Sequence, residues 1–141
     1  MRLEGKVAVL SGASQGIGEA TAIRFSEEGA VVVLLARRKQ ELEKITNRIC
    51  QRGGKAFYYA VDVSDESAVG ELIEDVVSTY GSLDVLVNNA VLMVPGAIAD
   101  IDVASWDRNF KVTLDAALFL MRESFPHLRD SRGAVVNVSS V

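Results

Sequence analysis

Ser11-Gly12-Ala13-Ser14-Gln15-Gly16-Ile17-Gly18 is the stretch that decides how this chain folds. Its glycines let the backbone turn sharply and bring N–H groups close to a ligand with no Cβ in the way. Directly before it, Lys6-Val7-Ala8-Val9-Leu10 reads as a buried strand. Directly after it, Gly18, Thr21, Ala22 and Phe25 recur at i, i+3, i+4, i+7, one small or apolar helix face suited to close packing on a sheet. Gly29 is placed to end that helix. A glycine loop between a strand and a helix delivers unpaired N–H groups and a positive dipole end to an anion such as a pyrophosphate. The competing plain reading is a merely tight β-α turn.

Outward from the loop, the same alternation continues. Residues 31–35 are unbroken apolar, as in a strand covered on both faces. Residues 56–61, 85–87 and 134–138 are further strand candidates. Between them, Leu42, Ile45, Thr46 and Ile49 form one helical stripe, stopped by Gly53-Gly54. Val69, Leu72, Ile73, Val76, Val77 and Tyr80 form another, closed by Gly81 and capped by Ser64, with Asp65 and Glu66 at its positive end. A longer helix is expected over 102–125, with Asp102 as its cap and Pro126 near its end. Strands alternating with helices of this length imply parallel strands joined by right-handed crossovers. The expected fold class is α/β, a Rossmann-type doubly wound parallel sheet with helices on both faces, truncated after the fifth strand. Residues 1–141 read as a single, incomplete nucleotide-binding domain.

Bulk properties narrow the function. The 141 residues carry a formal net charge of −4 with both signs interspersed, which argues against a nucleic-acid surface. No apolar run is long enough to span a bilayer, and the start leaves no room for a signal-peptide core, so a cytoplasmic location is expected. Cys50 is the only cysteine, which excludes an internal disulfide, and it reads as a small buried hydrophobe. His127 is the only histidine, so a His-containing metal cluster or a Ser-His-Asp triad would have to use it; no metal site is expected.

The spacing Gly-x-x-x-Gly-x-Gly over Gly12, Gly16 and Gly18 differs from the usual Gly-x-Gly-x-x-Gly dinucleotide fingerprint. With it the chain resembles the short-chain dehydrogenase/reductase family along its whole length. Asp62-Val63 resembles that family's adenine-contacting pair, Asn88-Asn89-Ala90 its Asn-Asn-Ala-Gly motif, and Asn137-Val138-Ser139-Ser140 the segment ending in the catalytic serine. The resemblance implies hydride exchange between a nicotinamide cofactor and a small carbonyl or alcohol substrate, reduction of a 3-oxoacyl thioester being one case. It assigns Gly12, Ser14, Gln15, Gly16, Ile17, Gly18, Asp62, Val63, Asn89 and Ala90 to the cofactor and Ser140 to catalysis. After the second strand, Arg37-Arg38-Lys39 stands where an NAD-preferring site usually has an acid, and an arginine fork suits a 2′-phosphate. NADP is therefore favoured over NAD, with Arg37 as first contact and Ser14 and Arg38 as helpers. A solvated basic start to the second helix is the plainer alternative.

Three departures from the family pattern bear on catalysis. None of Tyr58, Tyr59 or Tyr80 has a lysine four residues on, so the Tyr-x-x-x-Lys pair expected after Ser140 is missing, and the chain alone is expected to be inactive. Val91 replaces the glycine after Ala90, and Thr113 stands where a relay asparagine is expected, with Asn109 one helical turn earlier as a partial substitute. The leading reading is an NADP-dependent oxidoreductase in fragment form, with a possible homo-oligomer as its assembly. The alternative is a non-catalytic protein that binds nucleotide or pairs with full-length relatives. A methyltransferase is disfavoured, because Ala36 and Arg37 occupy the place of its ribose-binding acid. A bare fifth strand would invite pairing with other chains.

Overall fold

Every residue of β1 (Val7–Ser11) is buried, because this strand has a neighbour on each side and helices over both faces. The computed structural model describes residues 1–140. Its elements continue as α1 (Gly16–Glu27), β2 (Val31–Ala36), α2 (Lys39–Gln51), β3 (Lys55–Ala60), α3 (Glu66–Tyr80), β4 (Val85–Asn88), α4 (Val103–Phe110), a π-helical turn (Lys111–Asp115), α5 (Ala116–Ser131) and β5 (Ala134–Asn137). The five strands form one sheet in the order β3-β2-β1-β4-β5, all pairs parallel. This is the doubly wound Rossmann-type arrangement expected from the alternation.

The period-2 alternation of side chains divides the core. Ala8, Leu10, Val32 and Leu34 face α1 and α2, where Ala22, Leu42, Ile45 and Ile49 close over them. Val7, Val9, Val33 and Leu35 face the other way, against Val69, Leu72, Ile73 and Val76 of α3 and Ala116, Leu120 and Leu128 of α5. At the amino ends of the strands, the buried Asp84 accepts from Lys6 Nζ (2.9 Å), Val7 N (3.0 Å) and Ser82 Oγ (2.9 Å). Its own N–H donates to Val7 O, and its carbonyl accepts from Ala134 N. One residue thus ties β1, β4 and β5 together at the end opposite the glycine loop.

Four local expectations need correction. The stretch 102–125 is not one helix: α4 gives way to the π-helical turn before α5 begins, although Asp102 does cap α4 by accepting from Ser105 N at 2.8 Å. Nor does Pro126 end α5, which runs through it and His127 to Ser131 before turning at Arg132, φ +54°. The cap of α3 is Asp65, accepting from Ala68 N at 3.1 Å, while the Ser64 hydroxyl donates to Asp62. Finally, Cys50 is exposed: Leu42, Ile45 and Ile49 fill the inward face of α2, and the next residue rotates outward.

Candidate functional site

Strand carboxyl ends are where open α/β sheets accept ligands, and the loops leaving β1, β2, β3 and β4 enclose a cleft of about 480 Å³ here. Gly12, Ser14, Gln15, Gly16 and Ile17 line it from β1, Arg37 and Arg38 from β2, Asp62 and Val63 from β3, and Asn89 and Ala90 from β4. Gly18 lies beneath, fully inside the fold. A Cβ on Gly18 would run into the Gly12 carbonyl oxygen and lie 2.7 Å from Asn89 Nδ2; one on Gly12 would lie 2.8 Å from Ala90 Cα. These two glycines let the loop nest against β4. Gly16 is the opposite case: nothing lies within 4 Å of its Cβ position, so the loop's outer edge is open to the cleft.

A hydroxyl that the sequence reading overlooked holds the two loops together. Ser11 Oγ accepts from both Asn89 N (3.0 Å) and Ala90 N (3.1 Å), and Asn89 Nδ2 donates to the carbonyls of Ser11 (3.3 Å) and Gly12 (3.1 Å). The available signal was a polar residue, fully buried, closing an otherwise apolar strand.

The two arginines differ. Arg38 Nη2 donates to Ser14 Oγ (3.0 Å) and Gln15 Oε1 (2.6 Å), which brings its guanidinium over the glycine loop. Arg37 stays exposed near Asp62. The Ser64 hydroxyl, 2.7 Å away, holds Asp62 below the usual carboxylate range against the opposing pull of burial; the Ser64 N–H and the Arg37 and Arg108 charges add to it. At the cleft mouth the Arg38 guanidinium is therefore held by neutral partners, while Arg37 is set beside the Asp62 carboxylate.

A second, more apolar cavity of about 870 Å³ adjoins the first and shares Ile17, Asn89, Ala90, Val91 and Val112 with it. Ser140 lines this second cavity, with Ser139, Asn88 and Asn137. Asn88 Nδ2 donates to Asn137 Oδ1 at 2.8 Å, locking the carboxyl ends of β4 and β5 side by side. The sequence reading missed this pair, since neither side chain alone announces a cross-strand contact. Thr113 and Asn109 both turn toward the segment after β4: Val94 N donates to Asn109 Oδ1 at 3.1 Å, and Thr113 Oγ1 lies 3.3 Å from both Leu92 N and Leu92 O. Asn109 is therefore committed to a backbone N–H. Among the described residues, no group of three His, Cys, Asp or Glu side chains converges to hold a metal, and no helix is long and apolar enough to cross a membrane.

Comparison with known proteins agrees with this geometry. A family profile described as short chain dehydrogenase matches residues 6–141. The chain is 38% identical to meso-2,3-butanediol dehydrogenase from Serratia marcescens, covering all of this chain and 55% of that protein. It is 37% identical to a 3-oxoacyl-[acyl-carrier-protein] reductase from Thermotoga maritima, covering all of this chain and 58% of that one. The chain thus spans little more than half the length of these relatives. Among solved structures, a metagenomic short-chain oxidoreductase in complex with NADP superposes with a TM-score of 0.95 at 36% identity, over all of this chain and 65% of that one. A short chain dehydrogenase from Mycobacterium smegmatis gives 0.93 at 35%, over 99% of this chain and 60% of that one. By its sequence and its sheet alike, the chain belongs to the short chain dehydrogenase family.

Proposed function

We propose that the chain is the nucleotide-binding portion of an NADP-dependent oxidoreductase that exchanges hydride with a small carbonyl or alcohol. The observation that carries this reading is the convergence on one cleft of the glycine loop and the Arg37-Arg38 pair, with no acid between Leu35 and Lys39. The open edge at Gly16 and the α1 amino end fit a pyrophosphate. Arg38, steadied by Ser14 and Gln15, keeps Nη1 and Nε for an anion, and with Arg37 it suits a 2′-phosphate. Asp62 and Val63 would border the adenine, and Asn89 and Ala90 the passage to the second cavity. When bound, the nicotinamide supplies or accepts the hydride. Ser140 would hold the substrate oxygen in the second cavity.

The test is nucleotide titration of the purified chain. Arg37→Asp should weaken NADPH binding by roughly 10- to 100-fold, the worth of a charge-assisted hydrogen-bonded contact, and should leave NADH nearly unchanged. Equal losses for both nucleotides would remove the NADP assignment. NADPH binding without carbonyl turnover would favour the non-catalytic reading for the chain by itself.

A further inference from the structure

Val91 sits between two sets of anchors. Up to Ala90, the exit from β4 is tied to the glycine loop through Ser11. From Leu92 onward it is tied to the other wall: Thr113 takes both polar groups of Leu92, and Asn109 takes the N–H of Val94. Asn109 and Thr113 are four residues apart, one in α4 and one in the π-helical turn, and so meet the same strip of backbone. Single π turns recur at functional positions in helices. The residue between the anchors, 66% exposed, lines both the nucleotide cleft and the second cavity.

We infer that Asn109 and Thr113 form a two-point strap that fixes Val91 as a gatepost between the two cavities. They are positioning residues, acting through the backbone of Leu92 and Val94, and Val91 is the residue that meets whatever spans the neck. The inference rests on the dinucleotide reading above: the spanning group is the nicotinamide half, whereas the adenosine half occupies the first cleft only. A β-branched side chain held from both sides has little freedom to retreat, so the strap sets how the nicotinamide half enters.

The experiment compares Thr113→Val, which keeps the shape and removes the hydroxyl, with wild type and with Thr113→Ser as the conservative rescue. Two probes are titrated: NADPH, and adenosine 2′,5′-bisphosphate, which lacks the nicotinamide half. Amide exchange of Leu92 and Val94 is followed by NMR without ligand. Thr113→Val should speed exchange at Leu92 and weaken NADPH by roughly three- to tenfold, the worth of one or two neutral hydrogen bonds. Binding of the bisphosphate and the NADPH-to-NADH preference should stay as in wild type, and Thr113→Ser should restore all readouts. Asn109→Ala should speed exchange at Val94, a second measurement should Thr113→Val fold poorly. Unchanged exchange in both variants, or equal weakening of both probes, overturns the inference. Should the wild-type chain bind neither probe, the dinucleotide reading falls and with it the gatepost role; faster exchange in the variants would then leave only a structural strap.

Discussion

Single atoms decide much of this site. Gly18 has no room for a methyl group, because the Gly12 carbonyl, Asn89 Nδ2 and Ala13 Cα surround its Cβ position. Gly18→Ala should cost about 1–3 kcal/mol, as forced overpacking does, read as a lower urea midpoint, and should also weaken nucleotide binding by pushing the loop off β4. Asp84 makes a pH prediction. Burial raises its carboxyl pKa, but donors from Lys6, the Val7 N–H and Ser82 outweigh burial and hold it below the ordinary value. A depressed folded-state pKa stabilises the fold above the unfolded value of about 3.9 and loses that contribution as pH falls through the folded one. Urea unfolding from pH 7 down to pH 2 should show a steeper acid decline in wild type than in Asp84→Asn, the variant already being less stable at pH 7. The sequence identified these residues unevenly. Each residue that the resemblance assigns to the cofactor lines the cleft or, as Gly18 does, lies beneath it, and of the two arginines it is Arg38 that is tied to the glycine loop. Side-chain reach across 24 positions of sequence is a tertiary fact that no local pattern encodes.

Elements follow the same logic at larger size. The five strands were legible to within a residue at each end. For β1, β2 and β4 this is because buried parallel strands leave unbroken apolar runs between polar punctuation; β3 and β5 were legible from their apolar and aromatic residues, although both lie at the sheet's edges and are more exposed. The break between α4 and α5 was not, since a π turn keeps the helical pattern going and needs neither glycine nor proline. Pro126 misled for a related reason. Proline is a poor helix residue, but it is exposed, and packing of Ser124 and Leu128 on either side of it holds α5 together. If the helix tolerates Pro126 only through that packing, Pro126→Ala should stabilise the fold by about 1–3 kcal/mol, the order of proline's cost inside a helix. Thermal melting would check it, and no gain would mean that the local backbone has already relaxed around the ring.

At the scale of the whole molecule, the 141-residue chain carries β5 as a sheet edge. Val135, Val136 and Val138 are 40%, 46% and 39% exposed, and no charge or proline interrupts 134–140. Native edges usually carry such interruptions to discourage pairing with other chains. Light scattering of the purified chain should therefore show concentration-dependent association, and Val136→Lys should reduce it; identical behaviour of the two proteins would place the association elsewhere. The exposed Leu114 and Leu118 of the helical wall line the same cavity as Asn137 and Val138 at the end of β5.

The sheet order also has a consequence in time. β1 pairs with β2 and with β4, and Asp84, which fastens β1 to the start of β4, lies 77 positions from Val7. During synthesis β1 is made well before β4, so one of its two flanks stays bare until Asp84, 77 positions beyond Val7, has followed. The β1-α1-β2-α2-β3 half can assemble from near neighbours, whereas closure at β4 must overcome the entropy of a long loop. The central strand thus precedes the partner that completes it by most of a domain, and a nascent chain stalled before Asp84 presents the apolar flank of β1 to whatever chaperone is nearest.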